Sequence, residues 1–278
     1  MNYMLKKKKW LKLSLLSLLA VILLAGCGGG NDNDKAEEGG GKGKEEDVLA
    51  QVKEKDKIVF GVKNDTRLFG LKNPSTGEVE GFDIDIAKAL AAEILGDENK
   101  VEFKEVTSKT RMALLNNGDI DAIVATMTIT EDRKKEVDFT DVYFDAGQSL
   151  LVKKGSDIKG IDSLKGKKVL AVKGSTSSIN IREKAPDAQV LEFENYSEAF
   201  AALKSGQGDA LTTDDSILYG MADEDPSYEL VGGTFTEEPY GIAVKKGNSE
   251  FVEELNKALK SLKDSGKYDE IHDKWIKH

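Results

Sequence analysis

A few residues in this chain have the type and spacing to grip a small charged molecule. The stretch ATMTITEDRKKEVDFT (125–140) follows DIDAIV (119–124), a short apolar run that reads as a buried parallel strand. Past that strand comes a threonine-rich turn carrying Thr126 and Thr128. Thr130 stands where a helix N-cap belongs, and Glu131 and Asp132 fill the first helical turn, where acids suit the helix dipole. Arg133 does not suit that dipole. A carboxylate held there would meet backbone N–H groups, hydroxyls and one guanidinium fork. The alternative is an arginine in solvent. A second polar end lies in DALTTDDSILYG (209–220), where Asp214 and Asp215 follow a strand. Either can accept from a cation, and either can cap the next helix. Asp214 is favoured, because laying Asp209-Ala210 on Asp121-Ala122 brings it into register with Thr126. Lys63 closes the strand KIVFGVK (57–63) and Arg111 opens a helix; the alternative for each is a solvated side chain.

Residues suited to catalysis or metal binding are scarce. There are two histidines, His272 and His278, and one cysteine, Cys27. No Cys/His cluster can hold a metal, no intramolecular disulfide can form, and no Ser-His or Cys-His pair is credible. We expect no cofactor. Carboxylate catalysis at 214–215 stays open as the enzymatic alternative.

The N-terminus carries an address. Lys6 to Lys9 form a basic segment and Leu11 to Leu24 an apolar one, shorter than the ~20 residues a spanning helix needs. The run ends in Leu24-Ala25-Gly26-Cys27, which resembles a bacterial lipobox. On that likeness residues 1–26 are a signal peptide, and Cys27 carries a diacylglyceryl anchor on the extracytoplasmic face of the membrane. Residues 27–52 are polar and glycine-rich and read as a flexible tether. The formal net charge is −10; five lysines and no acids precede Cys27, so 35 basic and 50 acidic residues remain beyond it, a net of −15. That opposes nucleic acid as a partner.

The body repeats itself. KIVFGVK (57–63) matches KKVLAVK (167–173), ALLNNGDIDAIVAT (113–126) matches ALKSGQGDALTTD (202–214), and SLLVKKG (149–155) matches GIAVKKG (241–247). Three pairs in one order predict two similarly built α/β lobes. Helices are expected over 82–95, 109–116, 176–184, 196–205, 215–222, 249–264 and 267–277. By the same alignment Lys63 and Lys173 each end the first strand of a lobe. Ligands bind past the carboxyl ends of strands in open α/β sheets. Two such edges, face to face, would enclose a cleft.

GFDIDIAKALA (81–91), ATMTITEDRKKEVDFT (125–140), AVKGSTSS (171–178), DALTTDDSILYG (209–220) and EPYGIAVKKG (238–247) together resemble the extracytoplasmic solute-binding proteins of polar amino-acid ABC importers. The likeness covers about residues 55–278. VKND (62–65) with TSKTRMALL (107–115) looks most like the glutamate/aspartate-binding branch, with glutamine binders close by. The resemblance implies a type II periplasmic-binding-protein-like fold, two α/β lobes joined by two hinge strands. The crossings fall near 143–147 and 236–240, so lobe 1 is 53–142 plus 241–278 and lobe 2 is 148–235. It implies that Arg133 holds the ligand's α-carboxylate, with Thr128 beside it and Thr176 opposite, and that Asp214 holds the α-ammonium. Lys63 and Arg111 become sensors of a distal carboxylate, because two buried cations facing a neutral amide would go unpaired. L-Glutamate is therefore the expected ligand, L-aspartate a possible one, and glutamine the alternative. The implied partners are a permease and its ATPase, with the binding protein a monomer. A dehydratase-like enzyme and a sensing ectodomain are the readings from other classes.

Overall fold

The apolar runs build two sheets on one plan. In the computed structural model, which describes residues 47–277, Ile58–Val62 lies between Val101–Glu105 and Ala122–Ile123, parallel to both. Ala243–Lys245 is antiparallel to Ala122–Ile123, and Val137–Phe139 forms the edge. The second sheet copies this. Lys168–Val172 lies between Gln189–Phe193 and Ala210–Asp214, Gln148–Lys153 is antiparallel to Ala210–Asp214, and Tyr228–Val231 forms the edge. The central parallel strands are buried almost throughout, as continuous Val/Ile/Leu runs require.

Two short strands, Phe144–Ala146 and Glu238–Tyr240, pair antiparallel with each other. Each feeds the fourth strand of the sheet on the far side: Gln148–Lys153 after the first, Ala243–Lys245 after the second. These are the two hinge strands of two α/β lobes. Rings of Phe69, Phe82, Phe144 and Tyr240 pack at their root, with Phe144 stacked on Tyr240 at 5.4 Å.

Helices cover the sheets where the 3.6-residue period predicts them. Phe82–Leu95 starts after Gly81 and stops at Gly96, whose φ of 77° is the left-handed C-cap conformation. Ser249–Asp264 buries Phe251, Leu255, Ala258, Leu259 and Leu262 on one stripe. In the last helix, Lys267–Trp275, only Ile271 is fully buried. Tyr268 and Trp275 pack against the core from half-buried positions.

Two expectations need correction. The tether is not unstructured to residue 52. Helix Val48–Lys55, capped by Asp47, buries Val48 and Val52, and its Val48 N–H donates to Asn248 Oδ1 at 3.0 Å. Nor does Lys63 correspond to Lys173. Asp121 accepts from the N–H of Val59 at 2.8 Å, while its counterpart Asp209 accepts from Lys168 at 2.7 Å. Counting four residues on from each donor puts Lys63 against Val172. Packing agrees: Gly61 lies under Ile120, whereas Leu170 lies over Gly208. A one-residue slip turns a strand's side chains to the other face. Lys63 accordingly points inward, and Lys173 lies outside, paired with Glu194. The signal segment, Cys27 and most of the tether lie outside the described residues. Among those residues no helix is long and apolar enough to cross a membrane.

Candidate functional site

The strand ends of both lobes converge beside the hinge. Thr130 caps helix Glu131–Glu136 as expected, its Oγ1 accepting from the Arg133 N–H. The Arg133 guanidinium then reaches both lobes, donating from Nη1 to the Thr128 carbonyl at 2.8 Å and from Nη2 to the Gly174 carbonyl at 3.2 Å. A guanidinium has five N–H donors, so these two bonds fix its plane without exhausting it.

Thr128 bridges to hinge residue Tyr240. Its hydroxyl lies 3.5 Å from that of Thr176, the first residue of helix Thr176–Lys184 in the other lobe. Thr176 is held by a polar net: its Oγ1 donates to Glu238 Oε2 and accepts from Gln148 Nε2, and Asn180 joins Gln148 to Glu238.

Asp214 ends strand Ala210–Asp214 and is buried. It sits at the N-cap position yet makes no capping bond. Asp215 does that work instead, accepting from the N–H groups of Ser216 and Gly147. Asp214 Oδ2 accepts from Tyr240 OH at 2.6 Å. Burial and the neighbouring Glu238 push its carboxyl up to about 7, and Arg133 opposes them.

Lys63 and Arg111 are as buried as core leucines, at 1% and 2% exposure. Lys63 Nζ donates to Ser108 Oγ at 2.8 Å and lies 4.9 Å from the ring centre of Tyr196, in lobe 2. Burial, then the charge of Arg111, pulls its ammonium down to about 7. Arg111 Nη1 donates to the carbonyl of Ala125 at 2.7 Å and to that of Thr126 at 3.4 Å, and its Nε is buried without a partner. Burial and Arg133 lower its guanidinium to about 9. Thr126 adopts φ +46°, uncommon for a β-branched residue. Its N–H donates to Asp83 Oδ2, and its own hydroxyl is buried without a partner.

All seven residues singled out in the sequence thus come together where the two lobes meet. The structure adds Ser108, Gln148, Asn180, Tyr196, Glu238 and Asp83. Glu238 and Asp83 each stood inside a quoted motif without being singled out there. The lobes also touch at the rim, where Asp65 Oδ2 accepts from the Tyr196 N–H at 2.7 Å and Lys109 meets Glu194. Among the described residues no group of three or more His, Cys, Asp or Glu is placed to hold a metal. The arrangement suits a small molecule carrying one negative and one positive group, enclosed from two sides.

The family pattern of the bacterial extracellular solute-binding proteins, family 3, matches residues 58–278. The chain belongs to that family. Among the family's members, it is 70% identical over 271 residues to the "ABC transporter glutamine-binding protein GlnH" of Bacillus subtilis (strain 168), covering 97% of this chain and 98% of that protein. It is 58% identical to the "Glutamine-binding protein" of Geobacillus stearothermophilus, over 89% of this chain and 96% of the other. Among solved structures of the fold, an ancestral arginine-binding protein bound to glutamine superimposes with a TM-score of 0.75 at 47% identity, covering 80% of this chain and 98% of that one. The motifs quoted from the sequence had already resembled the solute-binding proteins of amino-acid importers.

Proposed function

We propose that this protein captures L-glutamine outside the cytoplasm and delivers it to an ABC importer, without converting it. The observation that carries this reading is 70% identity, over almost the whole of both chains, to a protein named as the glutamine-binding component of an ABC transporter. In this reading Arg133, with Thr128 and Thr176, takes the α-carboxylate and Asp214 the α-ammonium. Thr126 shapes the turn, and Lys63 and Arg111 border the side-chain end. Lobe closure follows from the geometry, since contacts from both lobes exist together only when the lobes meet. The lobe bounds 53–142 with 241–278 and 148–235, the anchor at Cys27, the signal 1–26 and the monomeric state belong to the same proposal.

Glutamine replaces glutamate as the favoured ligand for a physical reason as well. The case for glutamate supposed that Lys63 and Arg111 would be left unpaired by a neutral amide. Yet Lys63 already donates to Ser108 and faces the Tyr196 ring, and Arg111 already donates to two main-chain carbonyls. Their presence at the cleft keeps L-glutamate as the second reading. Calorimetric titration of the purified protein with each amino acid decides between them. Glutamine is expected to bind more tightly; tighter binding of glutamate would overturn the assignment. Unchanged glutamine recovered after prolonged incubation is expected, and its conversion would favour an enzyme.

A further inference from the structure

At the rim of the lobe junction, lobe 1 completes a helix that belongs to lobe 2. The first N–H groups of any helix have no partner within it and must find one elsewhere. In helix Tyr196–Lys204 the N-cap Asn195 serves two of them. Its Oδ1 accepts from the Glu198 N–H at 2.8 Å, and its carbonyl accepts from the Ala199 N–H at 3.2 Å. The N–H groups of Tyr196 and Ser197 are left over. Both donate across the junction to Asp65 Oδ2, at 2.7 and 3.4 Å. The Ser197 hydroxyl adds a bond to the Asp65 carbonyl at 3.4 Å. A carboxylate at this place also meets the positive end of the helix dipole.

Asp65 is fixed for this contact from its own side. It opens strand Asp65–Thr66, which pairs with Gly70–Lys72 in a small three-stranded sheet of lobe 1. The Thr66 hydroxyl donates to Oδ1 at 3.1 Å, so Oδ2 is the oxygen presented to lobe 2. The neighbouring rim contact differs in kind. Lys109 meets Glu194 at 3.4 Å, but their side chains are 57% and 47% exposed, and a solvated pair contributes little. Asp65 is half-buried, and Tyr196, whose N–H it takes, is buried. The ring of that tyrosine lies 4.9 Å from Lys63, at the end assigned to the ligand's side chain. Capping Tyr196 therefore also holds its ring in place there.

We propose that Asp65 is the latch of the closed protein, a lobe-1 carboxylate that caps a lobe-2 helix only when the lobes meet and so slows release of the bound amino acid. This rests on the reading of an amino acid enclosed between two lobes, and not on which amino acid it is. The test is stopped-flow kinetics of L-glutamine, and of L-glutamate should it bind more tightly, on four full-length proteins: native, Asp65→Ala, Asp65→Asn and Lys109→Met. The latch forms after the ligand has entered. Asp65→Ala should therefore speed release about tenfold, the worth of one hydrogen bond to a charged group, and leave the association rate within about twofold. Asp65→Asn keeps an acceptor but no charge, and should fall between Asp65→Ala and native. Lys109→Met should release within about twofold of native. Native-like release from Asp65→Ala would overturn the proposal, and so would Lys109→Met releasing faster than Asp65→Ala. Thermal melting separates a latch from a merely structural residue. Ligand-free Asp65→Ala should melt with the native protein, and only the ligand-saturated form should melt lower; an equal fall in both forms overturns the proposal. Should Asp65→Ala not fold, Asp65→Asn decides by the same kinetic criterion. Native protein that binds neither amino acid would instead sink the proposed function, a result reached before any variant is made.

Discussion

The two lobes share a sheet order but bring different chemistry to their junction. Lobe 1 brings three buried or half-buried cations to the cleft, Lys63, Arg111 and Arg133, with Asp83 behind them. Lobe 2 brings Asp214, a polar net on Thr176 and the ring of Tyr196. The positions that correspond have diverged in kind. Thr126 and Asp214 both lie four residues past the first residue of the third parallel strand, yet one offers a strained turn and the other a carboxylate. The one-residue offset between first strands leaves Lys63 inside lobe 1 and Lys173 on the surface of lobe 2. In the proposed reading, a duplicated scaffold sets an arginine of lobe 1 and a carboxylate of lobe 2 against the two charges of one amino-acid head group.

The largest break in this division should come from its cationic side. Arg133→Ala is expected to reduce binding of every amino acid by ~100-fold or more, since removing one partner of a desolvated charge pair costs ~3–5 kcal/mol. Titration calorimetry checks it, and circular dichroism shows whether the fold survives. Asp214→Asn should cost nearly as much. Asp215→Ala should instead lower thermal stability by ~1 kcal/mol, a lost cap, and change affinity little.

Acid should act through the same carboxylate. Burial holds the folded Asp214 carboxyl near 7, so lowering the pH through that value protonates it and removes the acceptor for the ligand's ammonium. Affinity for glutamine is therefore expected to fall from pH 8 to pH 5.5, by at most ~tenfold per unit below the midpoint. Asp214→Asn should flatten this slope. A slope that persists in the variant would place the titrating group elsewhere.

Closure offers a smaller handle. Gly174 has φ +76°, and a Cβ there would come within 2.8 Å of Lys109 Cα and the Ser108 carbonyl in the other lobe. Gly206 has the same φ, and a Cβ there would meet nothing within 4 Å. Both substitutions to alanine carry ~1 kcal/mol of backbone strain. Only Gly174→Ala should also weaken glutamine binding, by ~tenfold. Least of all, Lys173→Met should leave affinity within about twofold, because an exposed ion pair contributes little, whereas Lys63→Met should alter selectivity.

Much of this was legible in the sequence because the signals are local. Strand-length apolar runs, glycine stops and the stripe of Phe251, Leu255, Leu259 and Leu262 depend on neighbours a few residues away. The three repeated segments exposed the two-lobed plan. What stayed hidden depends on distant contacts. Asp83 drew no notice within its motif, and only folding brings Thr126 and Tyr143 to it. Val48–Lys55 has too few apolar residues to be distinguished from a tether until Asn248, 200 residues on, meets it. The repeat alignment tolerated a slip of one residue that a hydrogen-bond ladder does not. The preference for glutamate came from counting cations along the chain, when the hydroxyl, ring and main-chain carbonyls that already meet Lys63 and Arg111 arrive from other elements.

The proposed division of labour between the lobes is tested most directly by blocking one head-group charge of the ligand at a time. Calorimetry should compare L-glutamine with N-acetyl-L-glutamine, which lacks the ammonium, and with L-glutamine amide, which lacks the α-carboxylate. If lobe 1 grips one charge and lobe 2 the other, each derivative loses ~100-fold or more in affinity, the cost of leaving a buried charge unmatched. Either derivative binding as tightly as glutamine itself would contradict the account.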